Sequence, residues 1–147
     1  ADLDLAKIIG QSEHNIIMAT PMYAAPEVID GNVAKIGVKS DIYSFGVMCY
    51  ELFAGSPPFD GETTDAILEQ HLNQTPMMLA DIKSNFDILL SDYIDRMMNK
   101  DPMLRPDGWG EVVAFFTAAL YRLKCKQKQD DVGTFAPLKS LALFKLK

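Results

Sequence analysis

"SDIYSFGVMCYELFAGSPPF", residues 40–59, is punctuated at both ends and apolar in between. Asp41 is a residue type that caps helix N-termini. Gly55 suits the position just past a helix end, and Pro57 and Pro58 forbid continuation. These signals predict a helix over 41–55. Its apolar residues, Ile42, Phe45, Val47, Met48, Cys49, Leu52 and Phe53, point in almost every direction around the axis. A helix apolar all round has to be central, with neighbours on several sides.

Further helical signals lie downstream. A helix is predicted from Glu62 to about Leu72. After Ser84, residues Phe86, Leu89, Leu90, Tyr93, Ile94, Met97 and Met98 recur at helical spacing and form one apolar stripe, which reads as core. Asp101-Pro102 breaks that helix. A last helix is predicted to open near Asp107 and to carry Trp109, Val112, Val113, Phe116, Leu120 and Leu123 on one side. Its first turn is weakened by Gly108 and Gly110. Upstream, residues 1–25 have no sustained period and read as extended or irregular. From about Gln129 the polarity is mixed, and a tail is expected. No repeat, low-complexity tract or β-hairpin signal is present.

The bulk numbers agree with one soluble globular domain: 147 residues, 48% hydrophobic and 23% charged. A net charge of −6 argues against a nucleic-acid face, which needs clustered Lys and Arg. The short basic run Arg122–Lys128 suits a helix C-terminus instead. Cys49 and Cys125 make neither a disulfide framework nor a zinc spacing, so a reducing, cytoplasmic setting is expected, with Cys49 as an inert core thiol. No apolar run reaches the length of a membrane span. Because the first residue is Ala, the chain reads as a piece of something longer.

Four strings in order carry the functional signal: "DLDLAK" at 2–7, "ATPMYAAPE" at 19–27, "SDIYSFG" through "YELFAGSPPF" at 40–59, and "NKDPMLRP" at 99–106. Together they resemble the second half of a eukaryotic-type protein kinase catalytic domain, most closely the bacterial eukaryotic-like serine/threonine kinases. Thr20 with Pro21 argues for serine/threonine rather than tyrosine specificity. The resemblance implies a mainly α fold: a kinase-like C-lobe made of an activation segment and a helical bundle around a central apolar helix, with the N-lobe absent. It places an activation segment at 1–28, the helical C-lobe at 29–123 and a C-terminal tail at 124–147.

Roles follow from the resemblance residue by residue. Glu27 and Arg105 would form a buried ion pair anchoring the activation segment. Asp41, besides capping, would bond the backbone of the catalytic loop. Thr20 would support the catalytic Asp and help seat the acceptor hydroxyl, while Met22 and Tyr23 would line the pocket for the substrate residue that follows. Glu51 matches a position that reads a substrate arginine in arginine-directed kinases. Asp2 would hold Mg²⁺ against the phosphates of ATP. In "DLDLAK", Leu3 stands where the family has Phe and Asp4 where it has Gly, and a Cβ there restricts the backbone. Asp2 and Asp4 also read, more simply, as two solvated acids.

The sequence lacks the Gly-rich loop, the strand Lys, and the His-Arg-Asp loop that supplies base and metal ligand. His14 and His71 have no nucleophilic or acidic neighbour pattern and are expected to be solvated. "HNIIMA" at 14–19 has no hydroxyl, so control by loop phosphorylation is not expected.

Two functions stand side by side. The first is the C-lobe of an ATP-dependent protein serine/threonine kinase, which docks a protein substrate and contributes one Mg-ATP ligand. As an isolated chain it would be inactive and would bind no cofactor tightly. The second is a non-catalytic kinase remnant acting as a protein-binding module. Either way, the central helix should leave apolar surface for the missing N-lobe side or another protein to cover. No nucleic acid and no membrane contact are expected of this segment.

Overall fold

The computed structural model describes residues 21–133. Among the described residues every regular element is helical and no strand occurs, the mainly α architecture expected. The chain divides into two compact units, Ala1–Val112 and Val113–Lys147, which are described one at a time.

In the first unit the long helix α2, Val38–Ala54, is the frame. Short turns precede it: a 3₁₀ turn at Pro21–Tyr23, the single helical turn α1 at Pro26–Ile29, and a second 3₁₀ turn at Val33–Lys35. After it come α3 (Thr64–Asn73), α4 (Leu79–Ile82) and α5 (Ile88–Met97), then a 3₁₀ turn at Pro102–Leu104. Side-chain caps set the starts of three of these elements. Thr63 Oγ1 accepts from the Ala66 N–H, Asp87 Oδ1 from Leu90 and Asp101 Oδ1 from Met103.

Helix α2 starts three residues before the expected cap. Gly37 is the N-cap, and its N–H is held by Ser40 Oγ at 3.2 Å. Asp41 is therefore not a cap. It stands exposed inside the first turn, where the positive end of the helix dipole suits a carboxylate. At the other end Gly55 takes φ 87°, a left-handed conformation that favours glycine, and its N–H closes on the Glu51 carbonyl at 2.8 Å.

The core forms where α5 crosses α2. Ile42, Tyr43, Val47, Cys49 and Tyr50 of α2 are buried, as are Leu90, Tyr93, Ile94, Met97 and Met98 of the expected stripe. Leu89 of that stripe is exposed instead. Burial pushes the Cys49 thiol up to about 11, which keeps it unreactive. The all-round apolar character of α2 is not matched by all-round burial. Met48 is 50% and Leu52 77% exposed, so one side of the helix lies open. Phe45 is covered by an edge-on contact with Trp109 at 5.4 Å.

The final helix α6 spans Trp109–Gly133 and so passes the expected boundary at 123/124. Lys124, Lys126, Gln127, Lys128 and Gln129 of its continuation have good helix propensity, which mixed polarity concealed. Within the second unit, Thr117 Oγ1 donates to the Val113 carbonyl and the Arg122 guanidinium lies 5.7 Å from the Phe115 ring centre.

Gly46 sets the closeness of the α2–α5 crossing. A Cβ built there would meet Met97 Cβ and Met98 Cγ, each at 2.9 Å. Gly46→Ala should therefore lose roughly 1–3 kcal/mol to overpacking against a helix-propensity gain of about 1 kcal/mol. The expected net result is lower stability, read as a reduced urea midpoint.

Candidate functional site

Two linked clusters gather most of the described residues singled out in the sequence. The lower one is built on charge. Arg105 follows the Pro102–Leu104 turn, is 1% exposed, and faces Glu27 of α1. Its Nη1 and Nη2 each lie 2.8 Å from one carboxylate oxygen of Glu27, a fork-to-fork arrangement that a lysine could not make. The remaining donors reach backbone carbonyls: Nε to Asn99 at 2.7 Å, Nη1 to Lys39 at 2.8 Å and Nη2 to Lys100 at 3.3 Å. Ser40 Oγ adds a 2.6 Å donation to Glu27 Oε1.

Burial alone would push the Glu27 carboxyl up. The hydrogen bonds from Arg105 and Ser40 outweigh it and hold the group below the usual carboxylate range. Tyr43 lies beside the pair, its ring centre 4.8 Å from the guanidinium carbon. Lys39 secures the same loop from α2, with Nζ at 3.1 Å from the Arg105 carbonyl and 2.8 Å from that of Pro106.

The upper cluster holds the Pro21–Tyr23 turn. Three side chains grip it. His71 Nε2 is 3.0 Å from the Met22 carbonyl. Ser44 Oγ donates to the Tyr23 carbonyl at 2.7 Å. The Tyr23 hydroxyl donates to Glu51 Oε2 at 2.6 Å. Its hydrogen bond to Glu51 raises the Tyr23 pKa, with burial and the Glu51 charge adding to the effect. Met22, Tyr23 and Glu51 are thus brought to one place.

Contrary to expectation, His71 is not solvated but fully buried. Its Nδ1 lies 2.9 Å from the Tyr43 hydroxyl, and the Phe59 ring meets it edge-on with centroids 4.8 Å apart. Burial first, then the Lys100 charge, pushes its pKa down to about 4, so the imidazole is neutral at pH 7. The sequence did hold a signal. His71 lies four residues after Ile67 and three after Leu68, on the apolar side of α3. Ser40, Ser44 and Lys39 carried no such signal, because nothing in their types distinguishes them from surface residues.

Asp2 and Thr20 lie outside the described residues, and so does His14. Among the described residues no group of three or more His, Cys, Asp or Glu is placed to hold a metal ion. Among the described residues no helix is long and apolar enough to cross a membrane.

This pairing of a clamped turn with a buried carboxylate–guanidinium bond sits within a matched family. The chain belongs to the protein kinase domain family, whose pattern matches residues 1–114. It is 36% identical over 111 residues to serine/threonine-protein kinase pkn2 of Myxococcus xanthus, a match covering 74% of this chain and 13% of that protein. It is 31% identical over 126 residues to serine/threonine-protein kinase PknJ of Mycobacterium tuberculosis, covering 82% of this chain and 21% of that protein. A mouse relative, serine/threonine-protein kinase ULK4, is 37% identical over 87 residues, covering 57% of this chain and 6% of its own length. The chain spans only a minor part of the length of the curated relatives it matches.

Arg105→Ala would leave the Glu27 carboxylate buried without its partner. It should cost about 3–5 kcal/mol, visible as a large drop in melting temperature; an unchanged melting curve would reject the anchoring role. Acid should also weaken the fold. The unfolded chain binds a proton at His71 near pH 6.5, while the folded state refuses it until about 4. Stability therefore falls as pH drops through that window, by up to about 1.4 kcal/mol per pH unit for one site. Glu27, whose folded pKa is depressed, adds a loss in the same direction at lower pH. Melting temperature followed from pH 7 to pH 4.5 should decline, and His71→Gln should flatten the decline.

Proposed function

We propose that this chain serves as the C-terminal helical part of an ATP-dependent protein serine/threonine kinase, where it seats the protein substrate. The observation that carries the reading is the Pro21–Tyr23 turn, held at two carbonyls and one hydroxyl and tied to the Glu27–Arg105 pair. A surface that receives a peptide hydroxyl has to be rigid before the substrate arrives, because positioning is most of what a phosphoryl-transfer enzyme supplies.

In this reading Thr20 supports the catalytic base supplied from elsewhere in the enzyme and helps seat the acceptor hydroxyl. Met22 and Tyr23 line the pocket for the next substrate residue. Glu51, with one oxygen engaged by Tyr23, offers the other to a substrate arginine. Asp41 contacts the catalytic loop. Asp2 would be one ligand for Mg²⁺, and Mg-ATP, when bound, would supply the phosphoryl group in the whole enzyme. The open side of α2, around Met48 and Leu52, receives the remainder of the kinase domain. Support for serine/threonine specificity comes from the Thr20-Pro21 pair and from relatives described as serine/threonine-protein kinases. Two free cysteines, one buried, fit a reducing compartment such as the cytoplasm.

The test is transfer of labelled γ-phosphate from Mg-ATP to casein by the full-length protein. Phosphoserine or phosphothreonine should form, Asp2→Asn should abolish it, and the 147-residue chain alone should transfer none. A folded full-length protein with no transfer would overturn the enzyme reading and favour a non-catalytic binding module.

A further inference from the structure

The three groups that hold the Pro21–Tyr23 turn are chemically unequal. Ser44 and Glu51 are partly accessible side chains that water could replace, whereas His71 is fully buried on the last turn of α3. Its two ring nitrogens have fixed and different duties. The Met22 carbonyl, 3.0 Å from Nε2, can only accept, so Nε2 carries the proton. Nδ1 is then bare and accepts from the Tyr43 hydroxyl at 2.9 Å. Only this tautomer satisfies both contacts.

Tyr43 is itself held in place. Lys100 Nζ lies 3.4 Å from its hydroxyl and the Arg105 guanidinium sits beside its ring. A chain of contacts therefore runs from the Glu27–Arg105 pair through Tyr43 and His71 to the carbonyl of Met22. It joins α2, α3 and the residue following Pro21. Leucine would fill the same space without the desolvation that a buried imidazole costs. What it could not supply is the Nε2–H.

We propose that His71 is a positioning residue for the acceptor pocket, fixing the Pro21–Tyr23 turn through a single neutral tautomer that Tyr43 selects. The proposal rests on the kinase reading for its effect on substrate, and on the geometry alone for its effect on the turn. His71 touches no reacting atom. It acts through the Met22 backbone.

The test compares His71→Gln and His71→Leu in the full-length protein. Gln restores an N–H that reaches a carbonyl, and Leu does not. With casein as acceptor, Leu should raise the KM for protein about tenfold, the loss expected of one buried hydrogen bond of about 1.4 kcal/mol. The KM for ATP should stay as in the wild type, and Gln should recover most of the effect. A purely structural role would instead move both KM values together, or move neither, and either result overturns the proposal. Two readouts do not depend on activity. Nitrogen NMR should find His71 protonated at Nε2 and not titrating between about pH 5.5 and 8, facing Tyr43, Lys100 and beyond them Arg105 and Glu27. Amide exchange at Ala24, whose N–H closes the turn on the Pro21 carbonyl, should quicken in Leu and recover in Gln. An inactive wild type defeats the kinase reading. Unchanged exchange in the Leu variant, or an Nδ1-protonated ring, defeats this one.

Discussion

Glu27 and Arg105 lie 78 residues apart in sequence and share two hydrogen bonds out of water's reach. Each charge would be expensive to bury alone, so each depends on the other being delivered to the same place. That requirement organises the surrounding chain. Ser40 turns its hydroxyl to Glu27 and so fixes how α2 begins. Lys39 lends its carbonyl to Arg105 and its ammonium to the carbonyls beyond. The proline-flanked loop between α5 and α6 has no regular ladder of its own, and Arg105 and Lys39 together satisfy several of its polar groups. The pair thus serves less as a source of attraction than as a registration point between α1, α2 and the loop after α5.

How much of this could be read beforehand depended on whether a residue announces its surroundings. Glu27 and Arg105 did, through the Ala-Pro-Glu and Asp-Pro-x-x-Arg-Pro strings, and so did the core stripe from Leu90 to Met98, because apolar periodicity reflects burial directly. The start of α2 did not. Asp41 looked like the better cap, but Ser40 was already committed to Gly37 and Glu27, and tertiary bonding moved the boundary. His71 looked like any surface histidine until its position on the apolar side of α3 was set against the turn it meets. That partner lies 49 residues away, where local pattern has no reach. The long run of α6 was hidden for another reason: helix-favouring but polar residues give no period. Asp2 and Thr20, expected to serve metal and acceptor, fall outside the described residues.

The open flank of α2 has a similar logic. Met48 and Leu52 lie four residues apart on the side away from α5 and are exposed, while Tyr43, Gly46, Val47 and Tyr50 face inward. The inward half of the helix alone is enough to build the core around α5.

His71 and Ser44 hold the Pro21–Tyr23 turn by its carbonyl oxygens, a feature every amino acid carries. The Met22 side chain takes no part in that hold. A different side chain at position 22 would therefore leave both carbonyl contacts available to the backbone. The side chain shown at that point of the surface can vary without loosening what holds its backbone.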